Sequence, residues 1–82
     1  MIKKDGFVFR ESVKKNKKYD VFKDGQYVVS FGDKRYQHYF DKLGLYRDMN
    51  HLDKKRRKSY YKRFGLYAVP YSAKYFSSHY LW

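Results

Sequence analysis

Cysteine is absent from this chain of 82 residues, so neither a disulfide nor a thiolate metal site can brace it. Acidic residues are scarce, with eight Asp and Glu against twenty Lys and Arg. That net charge of +12 excludes a preference for cationic partners and opposes compaction by self-repulsion. Long apolar runs are also missing. None approaches the roughly 18 residues of a membrane span, and Met1-Ile2-Lys3-Lys4-Asp5 has no apolar stretch behind it to form a signal peptide. A soluble protein of a reducing compartment is expected.

The groups that carry chemistry are sparse too. His38, His51 and His79 show no metal-ligand spacing, and the acids sit mostly in turn and capping positions. No phosphate loop and no Ser–His–Asp pattern is suggested. Catalysis, a metal, a cofactor and a small-molecule substrate are therefore not expected.

Rings, by contrast, are plentiful: eleven Tyr, seven Phe and one Trp. Disordered chains avoid aromatics, and each ring buries much area, so a folded domain is expected despite the short length. Residues 1–82 form one small basic domain in this reading, with 1–17 its least defined part. Such a chain buries only about 60% of its unfolded surface. Small cores gain from association, and a homodimer is expected.

Local signals point to an α+β fold, a small antiparallel hairpin or sheet packed against two or three short helices. Phe7-Val8-Phe9 reads as a short strand after an Asp5-Gly6 turn, and Lys14 to Lys18 as an exposed basic loop. Tyr19–Phe22 and Tyr27–Phe31 flank Lys23-Asp24-Gly25-Gln26, and Asp-Gly suits a two-residue type I′ turn. The simple register pairs Val21 with Val28 and puts Phe22, Tyr27, Val29 and Phe31 on the core face, with Tyr19, Val21 and Val28 opposite.

A first helix is expected over about 34–43, capped by Asp33 and ended by Gly44, because Tyr36, Tyr39, Phe40 and Leu43 recur at helical spacing. A second is expected over about 51–64, with Asn50 as cap and Gly65 as stop. After each glycine a leucine, Leu45 or Leu66, is expected to fold back on the last turn. Beyond Pro70, Ser72 caps a short helix from Ala73 to His79, and Trp82 is expected to dock on this core or on a partner subunit.

The positive charge is concentrated. Residues 51–65 hold seven Lys and Arg against the single Asp53. On a helical wheel Lys54, Lys58 and Lys62 form one stripe with Lys55 beside it, whereas Leu52, Tyr60 and Phe64 face the core. Arg56, Arg57 and Arg63 lie among or next to the apolar positions. Lysine offers a mobile point charge and arginine a planar fork for phosphate oxygens, so the stripe reads as a polyanion footprint. Lys34 and Arg35, at the start of the preceding helix, extend it. Double-stranded DNA is the expected partner, bound without sequence preference. The alternatives are an acidic protein docked on the basic face, and RNA or single-stranded DNA stacked on exposed tyrosines. Lys54-Lys55-Arg56-Arg57-Lys58 also matches a nuclear import pattern, which any protein this basic matches easily.

Three segments in order carry a likeness: Ser30-Phe31-Gly32-Asp33-Lys34-Arg35-Tyr36, then Asp53 to Arg63, then Ser72-Ala73-Lys74-Tyr75-Phe76 running to Tyr80-Leu81-Trp82. Over residues 18–82 the chain resembles a family of small basic proteins of large nucleocytoplasmic DNA viruses. The resemblance implies a viral protein of the virion or of the cytoplasmic viral factory, and the nucleus, for which only the import pattern speaks, is a second location. It implies no activity and transfers no functional residue.

Overall fold

The computed structural model describes every residue from Met1 to Trp82. Four strands form one antiparallel sheet in chain order: β1 (Ile2–Lys4), β2 (Phe7–Glu11), β3 (Lys17–Lys23) and β4 (Gln26–Asp33). A single-turn 3₁₀ segment (Arg47–Met49) and two helices, α1 (Lys54–Phe64) and α2 (Ala73–Tyr80), follow. The α+β expectation holds.

Two Asp-Gly pairs make the sheet. Asp5-Gly6 (φ 55° and 82°) turns β1 into β2, and Asp24-Gly25 (φ 51° and 77°) turns β3 into β4. Both dipeptides adopt the positive φ values of a type I′ hairpin, whose twist matches the strands it joins. Near the second turn the register is the simple one, with Lys23 opposite Gln26 and Phe22 opposite Tyr27. A bulge between Val21 and Phe22 then shifts it, so Val21 faces Val29 and Tyr19 faces Phe31. This corrects the expected core face. One extra residue flips every side chain beyond it. Tyr19 and Val21 join Phe31 inside, while Phe22 and Tyr27 lie on the outer face.

The inner face carries Phe7, Phe9, Tyr19, Val21 and Phe31, covered by Phe76, Tyr80 and Leu81 of the α2 segment. Rings account for most of it. Phe31 stacks on Tyr19 at 5.4 Å and on Phe76 at 5.6 Å, and Phe9 meets Tyr80 edge-on at 4.8 Å. Ser72 caps α2 by accepting from Tyr75 N–H, as its position suggested. On the outer face the buried Asp20 carboxylate accepts from Ser12 and Ser30 hydroxyls, both at 2.6 Å, and from Arg10 at 3.2 Å.

Residues 34–53 depart most from expectation. No α-helix forms over 34–43. Asp33 ends β4 and its carboxylate accepts from Arg35 N–H and the Arg35 guanidinium, which fixes a turn in place of a helix cap. The backbone then runs out to distant partners: Phe40 N–H donates to Leu81 O, Lys42 N–H to Tyr80 O and His51 N–H to His38 O. Asn50 does not cap a helix. Its side-chain oxygen accepts from Asp41 N–H at 2.8 Å and lies 2.6 Å from His38 Nε2. Tyr36 and Phe40 are exposed, so the helical spacing of rings was coincidental.

A buried polar network holds this segment to the sheet. Lys18, expected in an exposed loop, is buried, with Nζ 2.7 Å from His38 Nδ1 and 2.8 Å from Tyr36 O. Since Nδ1 accepts from Lys18, Nε2 carries the imidazole proton and donates to Asn50. Burial lowers Lys18 to about 8, against partial support from Asp41. The native state thus sheds this proton before the unfolded chain does, and between about pH 8 and pH 10.5 the unfolded chain holds more protons, so stability rises with pH there. Urea titrations at about pH 7 and about pH 9.5 should differ by about 2 kcal/mol in favour of the higher pH, and Lys18→Met should remove that difference. Above about pH 10 the trend reverses, because burial pushes Tyr46 up to about 12 and also raises Tyr19 and Tyr80, so that only the unfolded tyrosines ionise.

Candidate nucleic-acid interface

Helix α1 begins three residues later than expected. Asp53 is its cap, with one carboxylate oxygen accepting from Lys55 N–H and Arg56 N–H, and Gly65 ends it by donating to Tyr61 O. Leu52 lies before the cap at φ 55° and is exposed. No residue of α1 is fully buried. Only Tyr60 and Tyr61 are half-covered, so the expected core roles of Leu52 and Phe64 are not met.

The helix stands beside the core and is held by one seam. Tyr60 lies flat on Trp82, with ring centres 4.5 Å apart and planes 3° from parallel. The Tyr61 hydroxyl donates to Ser78 O, and Arg57 Nε donates to the main-chain oxygen of Trp82 at 2.7 Å. The Arg57 guanidinium also covers Tyr39 and Tyr61. Trp82 thus docks within its own molecule, as the clamp that fixes α1. Burial raises the Tyr60 hydroxyl above its ordinary pKa, so it stays neutral at this seam.

That seam sorts the candidate residues into three groups. Lys55, Lys58, Lys62 and Arg63 are exposed and occupy the half of the helix turned from Tyr60 and Tyr61, and the exposed Lys54 stands at its edge, on the groove that Tyr61 also lines. None is paired with a carboxylate. Arg57 faces inward as part of the clamp, and Arg56 is tethered to the Gln37 amide oxygen at 3.0 Å. Lys34 and Arg35 do not extend the ridge as free charges. Arg35 is bidentate to Asp33, which it holds down to about 2, and Lys34 lies 3.9 Å from Glu11. With no helix at 34–43, the backbone N–H of Arg35 is also committed to Asp33.

Open grooves flank α1. One of about 520 Å³ touches Lys54, Arg57, Lys58 and Tyr61, and one of about 880 Å³ touches Lys17, Lys55, Arg56 and Arg63. The cationic side is therefore approachable over a wide arc. A feature that the sequence reading passed over strengthens it: residues 54–82 contain eight Lys and Arg and not one Asp or Glu. No group of His, Asp or Glu is placed to hold a metal ion, and no helix is long and apolar enough to cross a membrane. Comparison with protein-family models, with curated proteins and with solved structures returns no match.

Proposed function

We propose that this protein binds double-stranded DNA without sequence preference, through the outer side of α1. The observation that carries this reading is the set of five unpaired, exposed cations at 54, 55, 58, 62 and 63 on one helical half and at its edge. Lysines at one-turn intervals meet phosphates as mobile point charges, which supplies affinity and register but reads no base. Arg63 adds a planar fork at the far end. The clamp at Trp82 presents the ridge as a fixed surface, which lowers the ordering cost of binding. By its resemblance to small basic proteins of large DNA viruses, the chain acts in the virion or viral factory, where a long genome needs neutralising.

Fluorescence anisotropy with a short duplex tests this. Engagement of about five phosphates gives a log–log salt slope of about −4.5, and affinity falls by about 500-fold between roughly 50 and 200 mM salt. Single-stranded DNA and RNA of equal length, run alongside, should bind more weakly. Equal or tighter single-strand binding would move the reading to base stacking, and no binding by folded protein at about 50 mM salt would reject a nucleic-acid role.

A further inference from the structure

Between α1 and α2 the chain runs Phe64-Gly65-Leu66-Tyr67-Ala68-Val69-Pro70-Tyr71, without a charged residue. Leu66 is 83% exposed, Tyr67 76% and Val69 62%, so the expected packing of Leu66 on the helix end does not occur. Lone apolar side chains on a surface need no explanation, but a contiguous apolar tip does. The tip is also anchored. Tyr71 meets Phe7 at 5.2 Å and Phe76 at 6.2 Å, which ties the loop base to the core. With its base tied to the core in this way, the loop carries Leu66, Tyr67 and Val69 outward.

We infer that this tip inserts into the interface of an anionic lipid bilayer, with α1 and Lys74 lying over the headgroups. Two independent observations name that occupant. The first is charge: the 29 residues from Lys54 to Trp82 carry eight Lys and Arg and no Asp or Glu, and Lys62, Arg63 and Lys74 flank the tip. A second copy of so basic a chain is repelled from this patch, and a phosphate backbone offers Leu66 and Val69 no apolar surface. An anionic bilayer offers both an acidic face and an apolar interior. The second is hydrogen bonding. Irregular backbone enters the bilayer interface more readily when part of its polar groups already have partners, and the rest, here the N–H groups of residues 66–69, stay at the hydrated headgroup level. Lys74 Nζ donates to both Phe64 O and Tyr67 O, and Ser72 donates to Val69 O from N–H and from Oγ. Three carbonyls of the tip are thus satisfied from within. Tyr67 and Tyr71 suit the headgroup level, where an aromatic ring can keep its hydroxyl wet.

This inference does not depend on the duplex reading, and one set of preparations separates them. Sedimentation with vesicles of phosphatidylcholine alone, and with about 30% phosphatidylserine, should show at least about tenfold stronger binding to the anionic set. Leu66→Ser with Val69→Ser should lower that binding by at least about tenfold, while duplex affinity changes by less than about twofold. In a Tyr67→Trp variant, brominated acyl chains should quench the new indole. Equal binding by the double variant and the unaltered chain would mean adsorption by charge alone and overturn the insertion, as would an unquenched indole at 67 or no binding to anionic vesicles. Duplex binding that fails while vesicle binding survives removes the nucleic-acid role and leaves this one standing.

Discussion

Replacing Lys54, Lys58 and Lys62 together by glutamate is expected to weaken duplex DNA binding by at least about 100-fold near 0.1 M salt and to flatten the salt slope by about 3. The three side chains sit at i, i+4 and i+8, so they present charge along one line of the helix. Each glutamate removes a phosphate contact and adds a repulsion, and an ion that is not displaced adds nothing to the slope. The same change should leave the melting temperature within a few degrees, because none of the three is paired or buried. A matched control uses Lys34→Glu with Arg35→Glu. Those cations are already engaged by Glu11 and Asp33, so their loss should cost less than about threefold. If the control weakens binding as much as the triple variant, net charge and not the α1 ridge governs affinity. If neither does, the ridge is only a solvated helix face.

This control marks where sequence reasoning was legible and where it stopped. Both Asp-Gly turns, both helices and the Ser72 cap follow from chemistry local to a few residues, which is why they could be read. The cationic ridge was legible for the same reason, since a helical wheel needs only spacing. Lys34 and Arg35 were misplaced because a helix was assigned where Asp33 instead ties its own turn. The bulge at Val21/Phe22 left no signature in the alternation of apolar residues, and it reassigned the core face. The wheel puts Arg57 beside the apolar positions, but its acceptor, the main-chain oxygen of Trp82, arrives from 25 residues away, which no pattern within α1 announces. The apolar tip was visible as a run of letters. Its exposure was not, because Leu66 after Gly65 imitates a helix-ending contact that the fold does not make.

The polar segment that defeated the helix assignment is also where a single residue should matter most for stability. Asp41 is buried, and its two oxygens serve three donors. Oδ1 accepts from Leu43 N–H at 2.8 Å, and Oδ2 from Tyr46 N–H at 2.8 Å and from the Tyr19 hydroxyl at 2.5 Å. Tyr19 is a wholly buried core ring stacked on Phe31, so the carboxylate links the 41–46 turn to the centre of the sheet. Asp41→Ala strips all three donors of their acceptor in a place water does not reach. Buried groups left unpaired cost about 1–3 kcal/mol each, and partial relaxation should leave a net loss of about 3–5 kcal/mol. It also removes the acid that offsets the buried Lys18 charge. In a domain with a thin core that loss takes most of the stability, and thermal unfolding by circular dichroism should show a melting temperature lower by about 15 °C or more. Asp41→Asn keeps an acceptor for part of the set and should fall between the two. Tyr19→Phe, which removes one donor to Asp41 together with the acceptor of Leu45 N–H, should cost about 1–2 kcal/mol. A loss as large in Tyr19→Phe as in Asp41→Ala would place the effect in the ring's surroundings and not in the carboxylate. A loss below about 1 kcal/mol in Asp41→Ala would mean that residues 34–53 are held by their backbone pairing with Tyr80 and Leu81 of the α2 segment and by Lys18 of the sheet, without the carboxylate.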